Sequence, residues 1–257
     1  MKSKFSVVAT VVFLITGLFT LNTGSVHAEQ ELTVSAAASL TNALPEIGKK
    51  FASVNPGTKV TFNFAASGLL MLQIERGAPV DVFASADQKT MDQAQAKNLI
   101  LNESRKNFVS NGLVLIVPAA SRISIKSVQD LGGRDVTRVA LGKPETVPAG
   151  RYAAEALINE GLWESLSSKL IPADSVRQVL DYVSRGEVDA GFVFATDAAA
   201  ARDKVRIVAT MEKHKPIVYP VAIVAATQKK ELSQRFIDFV LSKEGQEILS
   251  QFGFGKP

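Results

Sequence analysis

The stretch Leu32–Leu44 reads L-T-V-S-A-A-A-S-L-T-N-A-L and joins two patterns that decide the fold. Leu32-Thr33-Val34 opens a strand expected to run from Leu32 to Ala36. Leu40, Ala43, Leu44 and Ile47 then recur at i, i+3, i+4 and i+7, which places them on one helical face. Between the two patterns stand three alanines and Ser39, with no bulky or charged side chain. A strand that empties into small residues just where a helix begins leaves its backbone open to approach.

The same unit recurs along the chain. Lys59 to Phe64 alternates as a strand and leads into a helix from about Leu69 to Arg76. Val80 to Ala84 reads as a buried strand, with Asp87 as the N-cap of the helix after it. Leu113 to Val117 ends at Pro118, and the alternation restarts with a strand from Val136 to Leu141 and a helix from Pro148 to Gly161. Val176, Val179, Leu180 and Val183 mark the next helix, and Ala190 to Phe194 the next strand. Strand, loop and helix in alternation predict an α/β fold on mainly parallel sheets flanked by helices.

Two similar lobes in series follow from that restart. Ile217 to Val224 reads as a long strand interrupted by Pro220. The last helix, with Leu232, Phe236, Phe239 and Val240 on one face, is expected to pack back on the first lobe. The chain then crosses between lobes twice, near Ser110 to Gly112 and near Tyr219, as a two-stranded hinge. The expected division is a leader over 1–28, one lobe from 29–111 and 220–257, and the other from 112–219.

The leader is read from Lys2 and Lys4, the apolar run Phe5 to Phe19 and the small-residue site Val26-His27-Ala28: a secretory signal peptide, cleaved after Ala28. Its removal leaves 229 residues and lowers the formal charge from +4 to +2, since Lys2 and Lys4 go with it. Export to the periplasm is expected. With no cysteine the chain has neither disulfides nor a lipid-bearing thiol, so packing supplies its stability. A near-neutral chain with dispersed charge, its lysine pairs Lys49-Lys50 and Lys229-Lys230 on solvated helix faces, gives no case for nucleic acid. His214, in a polar loop, is the one histidine left after cleavage. A catalytic triad or a zinc site calls for placed histidines or thiols, so the composition argues against an enzyme and against a metal ligand set.

Four strand-to-helix junctions share the character of the first: Ala36 to Ser39, Ala65 to Gly68, Val147 to Gly150 and Ala173 to Val176. The leading N–H groups of a helix have no intrahelical acceptor and sit at the positive end of its dipole, so such ends hold anions when small residues let an oxyanion approach. A serine before a helix is ordinarily a plain cap, and it is the set of four junctions that points to an anion. Pro148 at a first helical position pre-sets the helix and leaves the Ala149 N–H free. Arg151 and Arg177 lie one or two residues beyond these N–H groups and are expected to point away from the ligand. Asp81, Asp87 and Asp197 read as caps or turn acceptors, since a carboxylate beside an anion would repel it.

The stretches A-A-A-S-L-T-N-A, G-A-P-V-D-V-F-A-S-A-D-Q-K-T-M-D, V-P-A-G-R-Y-A-A-E-A-L and G-F-V-F-A-T-D-A resemble those of the periplasmic molybdate-binding proteins of ABC-type importers, and the likeness runs from Thr33 to Phe254. The resemblance implies a two-lobed type II periplasmic binding protein fold that closes on one tetrahedral oxyanion. It implies Ser39 and Ser67 as hydroxyl and N–H donors, Ala149 and Val176 as N–H donors, and residue 194 as a fifth contact. Relatives carry a tyrosine at that fifth position; here it is Phe194, which has no donor. The implied partners are the oxyanion and the membrane permease subunits of the importer. The protein is expected to act as a monomer without a cofactor, holding molybdenum only as its oxyanion.

A pocket made of donors suits an oxyanion with no proton left: molybdate, tungstate, sulfate or chromate, and phosphate less well. The resemblance alone selects molybdate, with tungstate beside it. A binding protein for another oxyanion such as sulfate, or a secreted hydrolase with Ser39 or Ser67 as nucleophile, remains open at this point.

Overall fold

The computed structural model describes residues 30–257; the reading of residues 1–28 as a signal peptide lies outside them. In chain order the first half forms β1 (Gln30–Ala37), α1 (Leu44–Val54), β2 (Thr58–Ala65), α2 (Ser67–Glu75), β3 (Val82–Ala84), α3 (Gln88–Ala96) and β4 (Lys106–Asn111). After Gly112 come β5 (Leu113–Pro118), β6 (Val139–Gly142), α4 (Pro148–Asn159), α5 (Trp163–Leu166), β7 (Leu170–Ala173), α6 (Val176–Ser184), β8 (Ala190–Phe194), α7 (Ala195–Ala200) and β9 (Val205–Met211). The chain closes with β10 (Ile217–Ile223), α8 (Lys230–Leu241) and α9 (Lys243–Gln251).

The strands build two sheets of five, ordered β2-β1-β3-β10-β4 and β7-β6-β8-β5-β9. Both are mixed by the same rule. β2, β1 and β3 pair in parallel, β10 runs against them, and β4 runs against β10. In the second sheet β7, β6 and β8 are parallel, β5 runs against β8, and β9 against β5. Four strands of each sheet therefore share a direction, and the reversed strand is one that adjoins a crossing between sheets. The chain passes from β4 to β5 at Gly112 and returns between Met211 and Ile217.

Alternation in β3 shows how the first sheet is covered on both faces. Val82 faces the core in which α1 and α8 meet, where the Phe51 and Phe236 rings lie edge to face at 5.3 Å. Phe83 faces the opposite core, with Leu70 of α2 and Met91 of α3. In the second sheet Gly150 lets α4 lie directly on β6, since a Cβ there would stand 1.8 Å from the Gly142 carbonyl oxygen.

Several expectations shift. The α-helix expected from Leu40 begins at Leu44, and Ala38–Leu40 form a separate 3₁₀ turn. Pro45 is the reason: it lacks an N–H and clashes with the carbonyl four residues back, so a helix cannot run through it from Leu40 but can start around it. Pro220 does not interrupt β10. It sits at a register shift against β4, where its missing N–H leaves no gap in the ladder. A further helix, α9, follows α8. Lys229, expected to be merely solvated, pairs with the buried Asp81 at 3.2 Å.

Candidate oxyanion site

Ser39, Ser67, Ala149, Val176 and Phe194, named above from the sequence, line one small cavity between the two sheets, together with Ala37, Ala66, Ala86 and Pro148. The topology explains the convergence. The strand order turns back beside β1 in one sheet and beside β6 in the other, and ligands in α/β folds bind beyond the carboxyl ends at such points. Ser39 follows β1 and Ser67 follows β2; in the second sheet Ala149 follows β6 and Val176 follows β7. The cavity volume is about 10 Å³, far below the ~300–1,000 Å³ of sites for drug-sized organic ligands.

Three of the four turns at the cavity lack the side-chain cap of an ordinary helix start, and the fourth, before α6, has one. Asp87 caps α3 by accepting from the Thr90 N–H, and Ser175 caps α6 by accepting from the Gln178 N–H. The positions before the Ala38–Leu40 turn, α2 and α4 are Ala37, Ala66 and Val147, none with a side-chain cap. Neither Ser39 nor Ser67 is therefore a cap. Ser67 is the first residue of α2, and its N–H, like those of Ala149 and Val176, stands in a first turn without an intrahelical acceptor.

The two hydroxyls are already used as acceptors. Ser67 Oγ accepts from the Ala86 N–H at 3.0 Å. Ser39 Oγ lies 2.9 Å from Tyr219 Oη, and Asn111 Nδ2 donates to that same phenol oxygen at 3.2 Å. An amide NH₂ cannot accept, so the buried phenol proton goes to Ser39. Burial holds the Tyr219 phenol well above its ordinary pKa, which keeps that proton in place. Each serine is left with one O–H to give. Tyr219 is a residue that sequence reasoning placed only near the hinge. Its contact with Ser39 spans 180 residues and had no local signal.

No charged side chain lines the cavity. Arg151 turns away from it and pairs with Asp87 across the cleft at 2.7 Å. Arg177 pairs with Asp197 at 2.6 Å and donates through Nη2 to Asn42 Oδ1 of the first half, also at 2.6 Å. Burial lifts Asp197 to about 6, against the pull of the Arg177 guanidinium and of the Phe194 N–H it accepts from. Phe194 thus has its N–H occupied and offers the cavity only a ring, which packs on that of Tyr219 at 5.7 Å. A third bridge joins the halves: the Gly68 N–H donates to the Thr146 carbonyl at 3.0 Å, and a Cβ on Gly68 would stand 2.7 Å from that oxygen.

His214 lies in the loop before β10, its ring nitrogens against the Met211 and Lys215 carbonyls at 2.8 and 2.7 Å. Neither Ser39 nor Ser67 has a histidine beside it, so the hydrolase reading has no base. Two lobes of α/β architecture that enclose a small, donor-lined cavity match the architecture of a solute-binding protein. The chain belongs to the bacterial extracellular solute-binding protein family, whose pattern it matches over residues 32–255. It is 42% identical over 236 residues to the molybdate-binding protein ModA of Escherichia coli, covering 88% of this chain and 89% of that one. The putative ABC transporter substrate-binding lipoprotein YvgL of Bacillus subtilis is 35% identical, with 98% of each chain covered. The solved substrate-binding domain of a putative molybdenum ABC transporter from Clostridium difficile superposes with a TM-score of 0.67 at 40% identity, covering 88% of this chain and 99% of that one.

Proposed function

We propose that the protein captures molybdate, and tungstate equally, outside the cytoplasm and delivers it to the permease of an ABC importer as a monomer. Ser39 and Ser67 supply hydroxyl and N–H donors, and Ala149 and Val176 supply N–H donors. Phe194 forms an apolar wall. The observation that carries this reading is the use already made of the two serine oxygens: Ser67 Oγ accepts from the Ala86 N–H, and Ser39 Oγ lies against the Tyr219 phenol, whose proton is assigned to it, so each serine keeps its own proton for the cavity. A monoprotonated phosphate needs an acceptor, and no carboxylate lines the space.

The two sheets act as lobes that close on the anion, turning about the strands at Asn111–Gly112 and the segment 212–216. β10 pairs throughout with the first sheet, which supports placing the return crossing ahead of Ile217 rather than at 219/220. Ligand binding shifts the population towards the closed form. That form is held by Arg151–Asp87, Arg177–Asn42 and Gly68–Thr146.

Isothermal titration of the purified protein with molybdate, tungstate, sulfate and phosphate tests the assignment. The expected result is strong, similar heats for the first two and weak or no binding of the others. Sulfate binding as tight as molybdate would overturn the choice of ligand.

A further inference from the structure

We infer that Tyr219 is a positioning residue of this site: its hydroxyl holds the Ser39 proton on the bound anion and ties that contact to the hinge. The inference rests on the oxyanion reading given above and adds a residue that does not line the cavity. Three observations support it.

The first is the direction of the hydrogen-bond chain. The Asn111 amide is oriented by its own bond, since its Oδ1 accepts from the Gly112 N–H at 2.9 Å. Its Nδ2 must then face Tyr219 Oη and Thr196 Oγ1, at 3.2 and 2.9 Å. The phenol accordingly donates to Ser39 Oγ, and Ser39 donates to the cavity. Each proton along Asn111, Tyr219 and Ser39 points the same way, towards the anion. Without the phenol proton Ser39 would be free to rotate its own proton to other acceptors.

The second is rigidity. Tyr219 has no exposed surface, and the rings of Phe108, Phe194 and Phe254 surround it at centroid distances of 6.3, 5.7 and 5.7 Å. The hydroxyl is thereby held in place before any ligand arrives. The Phe194 ring stands against Tyr219 where relatives are expected to carry a tyrosine. The hydroxyl missing from residue 194 is present one ring further back and reaches the anion through Ser39.

The third is position. Tyr219 lies on β10 and Asn111 ends β4, the two strands that adjoin the crossings, and Thr196 belongs to α7 of the second half. The same chain that orients the ligand's donor in the first half therefore bonds to the second half. An opening that moves Thr196 away from Asn111 breaks one of the bonds that fix the Ser39 proton.

Titration of molybdate into the parent, Tyr219→Phe, Ser39→Ala and the double variant tests this, with melting temperatures of the unliganded proteins recorded alongside. Tyr219→Phe should weaken binding by about 2- to 12-fold, the worth of one neutral hydrogen bond. In the Ser39→Ala background the same change should alter affinity by less than about 2-fold, because the proton it positions is gone. Equal losses in both backgrounds, or parent-like binding by Tyr219→Phe, would overturn the inference while leaving the oxyanion site standing. A parent that binds none of the oxyanions would instead overturn the site itself. Should Tyr219→Phe fail to fold, Asn111→Asp replaces it. The carboxylate accepts the phenol proton and withdraws it from Ser39, and only a loss larger with Ser39 present than with Ser39→Ala supports the role.

Discussion

The two halves of the cavity are built alike and armed differently. Turns after β1 and β2 and after β6 and β7 meet the same space, yet the first half presents Ser39 and Ser67 and the second half Ala149 and Val176. A serine donates through its hydroxyl and its N–H, whereas alanine and valine donate through the backbone alone. One half can therefore lose a donor with the deletion of a single oxygen. The other can lose one only when the backbone itself is changed. The acids after β3 and β8 diverge in a related way: Asp87 takes Arg151 across the cleft, while Asp197 keeps Arg177 within its own half.

The largest expected effect comes from stripping the first half. Ser39→Ala with Ser67→Ala removes two charge-assisted bonds of roughly 1.5–3 kcal/mol each, a loss on the order of 10² to 10⁴-fold in molybdate affinity by titration if the two are additive. Each single variant should lose on the order of 10- to 150-fold. A double variant that binds within about 10-fold of the parent would mean that the hydroxyls are not the armed side. Next is Val176→Pro, which deletes a donor from the second half. Ser175 is already extended at φ −156° and ψ 164°, and proline is favoured at a first helical position, so α6 and its Ser175 cap should survive. Affinity should fall about 10- to 150-fold with the helical circular dichroism unchanged.

Smaller again is Phe194→Tyr, which places a hydroxyl on the second half. It should tighten molybdate by about 2- to 10-fold, less than a full charge-assisted bond because Ser39 and Tyr219 already supply a donor nearby. Weaker binding would show that the ring already fills the available space. The smallest effect belongs to Val176→Ala. It removes buried methyl groups and lowers the melting temperature, yet should leave affinity within about 2-fold, because the N–H remains. A large loss of affinity there would break the contrast between the halves.

Local pattern carried the sequence reading a long way. Val176, Val179, Leu180 and Val183 marked α6, and Ala190 to Phe194 marked β8 to the residue, because burial on one face imposes the spacing. The small residues around Ser39, Ser67, Ala149 and Val176 were legible for the same reason: a cavity wall excludes bulk. Pro45 carried a readable signal that the helix could not begin at Leu40, but the apolar spacing outweighed it. β4, β7 and β9 were not read as strands. β7 shows only Leu170 and Ile171 as an apolar pair, and β9 lacks a clean alternation, with the neighbours Arg206 and Ile207 both exposed. The partners Asp87 for Arg151 and Asn42 for Arg177 were out of reach, since each is chosen by the meeting of the two halves, and Tyr219 for Ser39 because β10 returns to the first sheet only after 180 residues.

The burial of the cavity wall has a kinetic meaning. Ser39, Ser67, Ala149, Val176 and Phe194 each expose 4% of their surface or less, so an enclosed ion has no path out past them. Its escape rate is then the opening rate of the lobes, and the residence time is written in bonds the ion never touches. Loosening Arg151–Asp87 or Arg177–Asn42 should shorten the dwell of the ion more than it slows its capture. Such a carrier would surrender its cargo fastest to whatever pulls those arginines away.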